Sequence, residues 1–300
     1  MNRVIQHPVQ GFLAALGAVA VLSIMDAVMK HLVLVIGIIA VSIWRSVANL
    51  LFSGALFLPR RNGWPAGRVL KIHVARGIVV TVMAFLFFWG IGRIPLAQAI
   101  ALTFIGPLIA LLLASVFLGE QIGGRSILGS LIAFGGVLII VVGQATAKLG
   151  ADVLLGTFAI LGSAVTYAVN IVMMRQQALA AEPFEINFFQ SATVMAIWAL
   201  LIPMVGIPAW PAGQWHWVIF ASVLSTCGTL LFAWGYARGP ASYLAATEYS
   251  GFIWASVLGW LIFSERVSLY TLAGAIMIIT GCFIAARRKV PELPEIDLTA

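Results

Sequence analysis

The residues of this chain that could bind a solute are polar and aromatic, and they lie inside long apolar runs. Ser163, Thr166 and Asn170 recur at helical spacing, with Tyr167 on their flank. Ser222, Thr226, Thr229 and Tyr236 form a second such stripe, and Tyr243, Thr247, Ser250 and Trp254 a third. Intervals of three and four residues put each set on one helix face. Polar groups are costly in hydrocarbon, and those inside membrane spans usually face a bundle interior or a wet cavity. Three such faces can enclose one polar, aromatic-edged cavity. They can equally be glue between helices, with each hydroxyl bonded to a carbonyl of its own helix. Earlier in the chain, Phe85, Phe88 and Trp89 share a face, followed by Gln98 and Thr103. That face is either core or a flat wall for an aromatic side chain.

Charges also lie within the apolar runs, with Arg76 just inside the third. Asp26 falls near the end of the first, Arg45 well inside the second, and Glu248 inside the ninth. A charge at such depth needs a partner or water. Either Arg45 pairs with Asp26 or with Glu248 as structural glue, or Glu248 stays hydrated in a cavity and binds an ammonium or carries a proton. Glu120 and Glu265 occupy matching positions at run ends, where solvated or capping roles are expected.

Nothing points to catalysis. His7, His31, His73 and His216 are scattered and make no HExxH or triad spacing. There is no GxxxxGK[ST] loop, so the chain does not hydrolyse ATP itself. Cys227 and Cys282 sit inside apolar runs with no CxxC or metal-ligand spacing. No catalytic residue, metal or cofactor is expected, and the chain reads as a non-enzyme.

The elements that must carry these residues follow from composition. The 300 residues are 62% hydrophobic and 9% charged, where soluble domains carry about 25% charged residues. Such a chain must use lipid as its solvent. A crossing takes about 20 apolar residues, and ten spans are predicted, at 9–31, 35–58, 72–92, 95–118, 124–146, 153–174, 185–206, 214–237, 241–263 and 267–287. The net charge of +7 does not signal nucleic acid, because the basic residues form no patch and instead sort by membrane side. Arg3, Arg60, Arg61, Arg68, Lys71, Arg125, Arg175, Arg238, Arg287, Arg288 and Lys289 fall on one side, against Lys30, Arg93, Lys148 and Arg266 on the other. The positive-inside bias puts both termini in the cytoplasm. The first span carries Asp26 and Lys30 in place of a cleavage site and is expected to be retained.

The chain is also one module written twice. Residues 89–139 recur at 234–284 without a gap, displaced by 145 positions. Trp89-Gly90 answers to Trp234-Gly235, Pro95 to Pro240, Gly106 to Gly251, Glu120 to Glu265, Gly129 to Gly274 and Gly136 to Gly281. The same displacement relates Gly11 to Gly156 and Met29-Lys30 to Met174-Arg175. Five spans per copy is an odd number, so the copies insert upside down relative to one another, with a site between them. The expected fold is an all-α integral membrane protein, a 5+5 inverted repeat. The first repeat is 1–146, the second 147–290, and 291–300 is a short disordered cytoplasmic tail.

Trp89 to Val142, with Arg93-Ile94-Pro95, Gly106-Pro107, Phe117-Leu118-Gly119-Glu120 and Gly129, resembles the EamA module of the drug/metabolite transporter superfamily. Arg238-Gly239-Pro240 through Phe263-Ser264-Glu265 and Gly274 resembles the same module. Arg45 after Trp44 fits the helix-2 arginine of that module. The aromatic interior is most similar to that of YddG-type aromatic amino-acid exporters. One departure is Pro107, which answers to Phe252 and should bend one span alone.

The resemblance implies export of small metabolites across the inner membrane by a secondary transporter, with aromatic or hydrophobic amino acids as cargo and alternating access as the mode. The expected substrate-binding residues are Trp89, Gln98, Tyr167, Asn170, Thr226, Thr229, Trp234, Tyr243, Ser250, Trp254 and Glu248. The alternative is a multidrug or lipophilic-cation exporter, because an aromatic cavity with a carboxylate would also hold such cations. The expected partners are the solute and the bilayer, with the chain as a monomer.

Overall fold

The computed structural model describes residues 8–61, 63–106, 108–109, 124–146, 151–178, 181–236 and 245–286. Every regular element among them is helical. In chain order they are α1 (Pro8–Ile36), α2 (Ile38–Phe57), α3 (Gly67–Ile91), α4 (Leu96–Thr103), α5 (Gly124–Thr146), α6 (Ala151–Ala178), α7 (Pro183–Val205), α8 (Trp215–Tyr236), α9 (Ser250–Phe263) and α10 (Leu269–Ala286). A 3-10 turn, Ala245–Tyr249, leads into α9.

Among the described residues, six stretches are long and apolar enough to cross a membrane: Val9–Ile36, Ile38–Arg60, Gly67–Ile91, Ala151–Asn170, Pro183–Val205 and Trp215–Phe232. Their outward faces carry Leu13, Leu51, Leu200 and Met204, all exposed. Bare leucines at this density belong against lipid, and helices are the elements that satisfy every backbone group there. The chain is a multi-pass membrane protein.

The junction of α1 and α2 is a single residue. Gly37 has φ 80°, a left-handed conformation that a side chain would strain, and it folds the two helices into a hairpin. Gly206 ends α7 with φ 84° and its N–H on the Ile202 carbonyl at 2.8 Å. Ser264 ends α9 with φ 55° and its N–H bonds the Trp260 carbonyl at 3.1 Å, the five-to-one bond of an αL cap, and Glu265 N–H reaches one residue further back, to the Gly259 carbonyl at 3.0 Å. This cap aims the Glu265 side chain back into the bundle.

The packing exchanges the two copies. Helix α1 packs on α8, and its counterpart α6 on α3. Helix α2 meets α7 and α5 meets α10, each helix against its own equivalent, and α4 meets α9 across the copies. The close approaches obey the same rule. A Cβ on Gly90 would stand 3.0 Å from the Gly156 carbonyl, and one on Gly235 would stand 3.0 Å from the Gly11 carbonyl. Because α1 and α2 form a hairpin and α3 returns alongside, Gly90 lies at the end of the bundle where α1 finishes. Gly156 opens α6 there, so α6 runs opposite to α1, as an inverted repeat requires.

The fourth predicted span is not one helix in the structure. Helix α4 ends at Thr103, and the Phe104 and Ile105 N–H groups make tightened bonds to Ala101 and Leu102. A proline at 107 has no N–H to offer the Thr103 carbonyl. Pro107 itself lies outside the described residues, as do Glu120, Arg238 and Tyr243. The core runs through Met29, Leu32, Ile91, Leu96, Leu102, Ile160 and Ile278, all fully buried.

Candidate functional site

At the end of the bundle where α1 finishes, three elements are locked together. Lys30 on α1 is buried and donates to the Ile94 carbonyl at 2.7 Å. The same ammonium is ion-paired with Glu265. The other oxygen of Glu265 accepts the Leu96 N–H at 2.8 Å, at the start of α4. The carboxylate, carried by the α9–α10 connection, therefore caps α4, where the backbone has unpaired N–H groups. Capping is one of the two roles expected for Glu265. The sequence counts Lys30 with the charges of one membrane side, at the end of the first span, and the structure buries it. Helix α1 continues to Ile36, so Lys30 is still inside the bundle.

Beside this lock is a cavity of about 340 Å³, lined by Arg93, Pro95, Gln98, Ser256, Glu265, Arg266, Ser268 and Thr271 among others. Gln98 is buried and its Nε2 has no hydrogen-bond partner. At the rim, the Arg93 guanidinium lies over the Trp89 ring at 3.5 Å and its Nη1 donates to the Trp89 carbonyl at 3.0 Å.

One turn inward from Lys30 on α1 is Asp26, half-buried. Arg45 on α2 lies within its electrostatic reach, without ion-pair contact. The guanidinium sits over the Phe88 ring of α3 at 4.8 Å, and its Nε is buried with no partner. Asn49, one turn further along α2, has a buried Oδ1 that is also unpartnered. Of the two pairings open to Arg45 in the sequence, the structure puts it in the field of Asp26.

At the opposite end, a buried polar chain ties α3, α6 and α7. Arg76 Nε donates to Asn170 Oδ1 at 2.8 Å, and its Nη1 donates to Gln177. Gln177 continues to His73 Nδ1, and His73 Nε2 reaches Glu185 at 3.0 Å. His73 stacks on Phe189 with ring centroids 5.0 Å apart.

The expected substrate-binding residues are distributed as follows. Gln98 lines the cavity, and Trp89 sits under Arg93 at its edge. Tyr167 lies against Gly106, where a Cβ would meet its ring at 2.9 Å. Asn170 belongs to the Arg76 chain. Thr226, Thr229 and Ser250 bond carbonyls of their own helical turns, at 3.0, 2.8 and 2.6 Å. Trp234 and Trp254 are exposed, and Glu248 is half-buried in the 3-10 turn. Tyr243 lies outside the described residues. Asn49 was missed by sequence reasoning, although its position four residues after Arg45 puts both on one face of α2.

A helical membrane bundle whose two halves exchange contacts, with polar groups held between them, is the build of a transporter. The chain belongs to the EamA-like transporter family, whose model matches residues 9–142 and again 154–287, with the displacement seen in the sequence. It is 27% identical to the pseudopaline exporter CntI of Pseudomonas aeruginosa (strain UCBPP-PA14), over 93% of this chain and 96% of that one. It is 23% identical to the riboflavin transporter of Vibrio cholerae serotype O1, over 93% of each. Solute carrier family 35 member G1 of Homo sapiens is 21% identical, over 84% of this chain and 72% of its own. A crystal structure 19% identical superposes with a TM-score of 0.64, over 93% of this chain and 98% of its own, and shares the fold.

Proposed function

We propose that this chain is a secondary transporter of the inner membrane that exports small metabolites, with aromatic or hydrophobic amino acids as cargo. In this reading it is a monomer that crosses the membrane ten times, five per copy, with both termini cytoplasmic. The two halves alternate in exposing a central site to either side. The end where α1 finishes then faces outward.

The observation that carries the reading is the lock of Lys30, Glu265, Ile94 and Leu96. It joins the first copy to the second at one end, one turn above the half-buried Asp26 and the nearby Arg45. A carrier needs such a seal on one side of its site while the other side is open. The relatives are named for different cargoes, pseudopaline and riboflavin, so cargo must be argued from residues. The Phe88 ring supports an aromatic or apolar solute, and the interior charges support a polar head.

The alternative cargo is a lipophilic cation, held by Asp26 or Glu248. The Arg45 charge beside Asp26 repels a lone cation and weighs against it. Purified protein in liposomes should accumulate labelled phenylalanine, tryptophan or leucine against an unlabelled counter-gradient. Movement of lipophilic cations but none of these amino acids would replace this reading with the alternative. No movement of either class would remove both.

A further inference from the structure

We propose that Arg45, Asp26 and Asn49 form the head-group subsite for a zwitterion, with the carboxylate of the solute on the Arg45 guanidinium and its ammonium on the Asp26 carboxylate. The inference rests on the amino-acid reading above and gives it a place.

Inside a membrane protein, a buried arginine normally spends its five donors on a carboxylate or on carbonyls. Arg45 does neither among the described residues. Its Nε is buried and unpartnered, and the contact it does make is with the face of the Phe88 ring at 4.8 Å. Asp26 lies close enough to feel that charge and yet makes no ion pair with it. Two opposite charges held apart in a bundle interior match a solute that carries both signs at once. A planar guanidinium is shaped for a carboxylate, which it can take through two parallel N–H bonds. A lone anion is repelled by Asp26 and a lone cation by Arg45. Asn49 adds a neutral acceptor one turn from Arg45, with its Oδ1 also unpartnered.

The surroundings fix these groups. Trp44, the neighbour of Arg45, donates its Nε1–H to the Ala209 carbonyl at 2.9 Å and packs edge-on against Trp210 and Trp215. This pins the turn of α2 that carries Arg45. Asp26 and Lys30 are four residues apart on α1, so the subsite lies one turn beneath the Lys30–Glu265 lock. The Phe88 ring gives the solute's apolar side chain a surface next to its head group.

The test uses three probes against the full chain in liposomes: L-phenylalanine, 2-phenylethylamine, which lacks the carboxylate, and 3-phenylpropionate, which lacks the ammonium. Inhibition of labelled phenylalanine transport ranks them. Wild type is expected to prefer phenylalanine by about tenfold or more over each single-charge analogue. Asp26→Asn should collapse the preference over 3-phenylpropionate selectively, and Arg45→Gln the preference over 2-phenylethylamine. Arg45→Lys should restore part of what Arg45→Gln loses. Equal ranking of the three probes by wild type overturns the subsite without any variant. Variants that lower all three alike, with ratios unchanged, overturn it too, while wild-type phenylalanine transport leaves the proposed function standing. A wild type that moves none of phenylalanine, tryptophan and leucine overturns both.

Discussion

The rings of Phe104 and Tyr249 meet edge to face with centroids 5.2 Å apart, and the two residues occupy equivalent positions in the two copies. Each stands at a break. Phe104 follows the last residue of α4, and Tyr249 closes the 3-10 turn before α9. The pseudo-dyad therefore passes between two aromatic rings at the points where both helices are interrupted. Aromatic pairs of this geometry contribute about 0.5–1.5 kcal/mol beyond their burial. A double-mutant cycle with Phe104→Leu and Tyr249→Leu, read by thermal unfolding in detergent, should return a coupling of about 1 kcal/mol. Strict additivity would mean that the contact does not join the halves.

The glycine contacts between α5 and α10 predict a sharp contrast in tolerance. A Cβ on Gly136 would stand 2.6 Å from the Gly274 carbonyl and 3.0 Å from the Ile278 backbone nitrogen. Backbone cannot rotate aside, so Gly136→Ala should destabilise by about 1–3 kcal/mol. Gly17, in the middle of α1, has nothing within 4 Å of such a Cβ. Gly17→Ala should be neutral or stabilise by up to about 1 kcal/mol, from helix propensity alone. Unfolding temperatures of the two variants check the pair, and equal losses would count against the close packing.

The buried chain from Arg76 to Glu185 should respond unevenly along its length. Gln177 is the middle link, fully buried, and bonds both Arg76 and His73. Gln177→Leu leaves the Arg76 Nη1 and the His73 Nδ1 without their partner, at an expected cost of about 2–3 kcal/mol. Glu185 at the rim is partly exposed, and Glu185→Gln should cost under about 1 kcal/mol. Similar losses for both would show that the chain does not depend on its central amide.

Much of this arrangement was legible in the sequence. The repeat was readable because Gly90, Gly136 and their counterparts must stay small where backbones touch, so their spacing survives in both copies. Helical period and apolar run length gave the elements. Pro107 pointed to a bend in one span alone, whereas the second copy, with Phe252 at the equivalent position, is interrupted too, at the Ala245–Tyr249 turn. The site was less legible, for physical reasons. Serine and threonine stripes look the same whether they face a solute or their own carbonyls, and Thr226, Thr229 and Ser250 do the latter. Asn170 is drawn to Arg76 across 94 positions of chain, a pairing no local pattern encodes. Lys30 fell at the end of the predicted first span, but its partner Glu265 lies 235 positions away, so the pair could not be read from local spacing.

The lock between Lys30 and Glu265 gives the most direct prediction about motion. Breaking a buried pair by removing one partner leaves an uncompensated charge and destabilises by about 3–5 kcal/mol. That strain should be relieved by opening the end of the bundle that the pair holds. With Cys227 and Cys282 replaced by serine and alanine, Ser256→Cys provides a reporter on the cavity wall beside the lock. In right-side-out vesicles, a membrane-impermeant maleimide should label this reporter at least about tenfold faster in Lys30→Met or Glu265→Gln than with the pair intact. Lys30→Arg should keep labelling slow, since it retains the charge and the donors that face Glu265 and the Ile94 carbonyl. If labelling is equally slow in every variant, the pair is a structural tie within one rigid end, and the seal must be sought elsewhere.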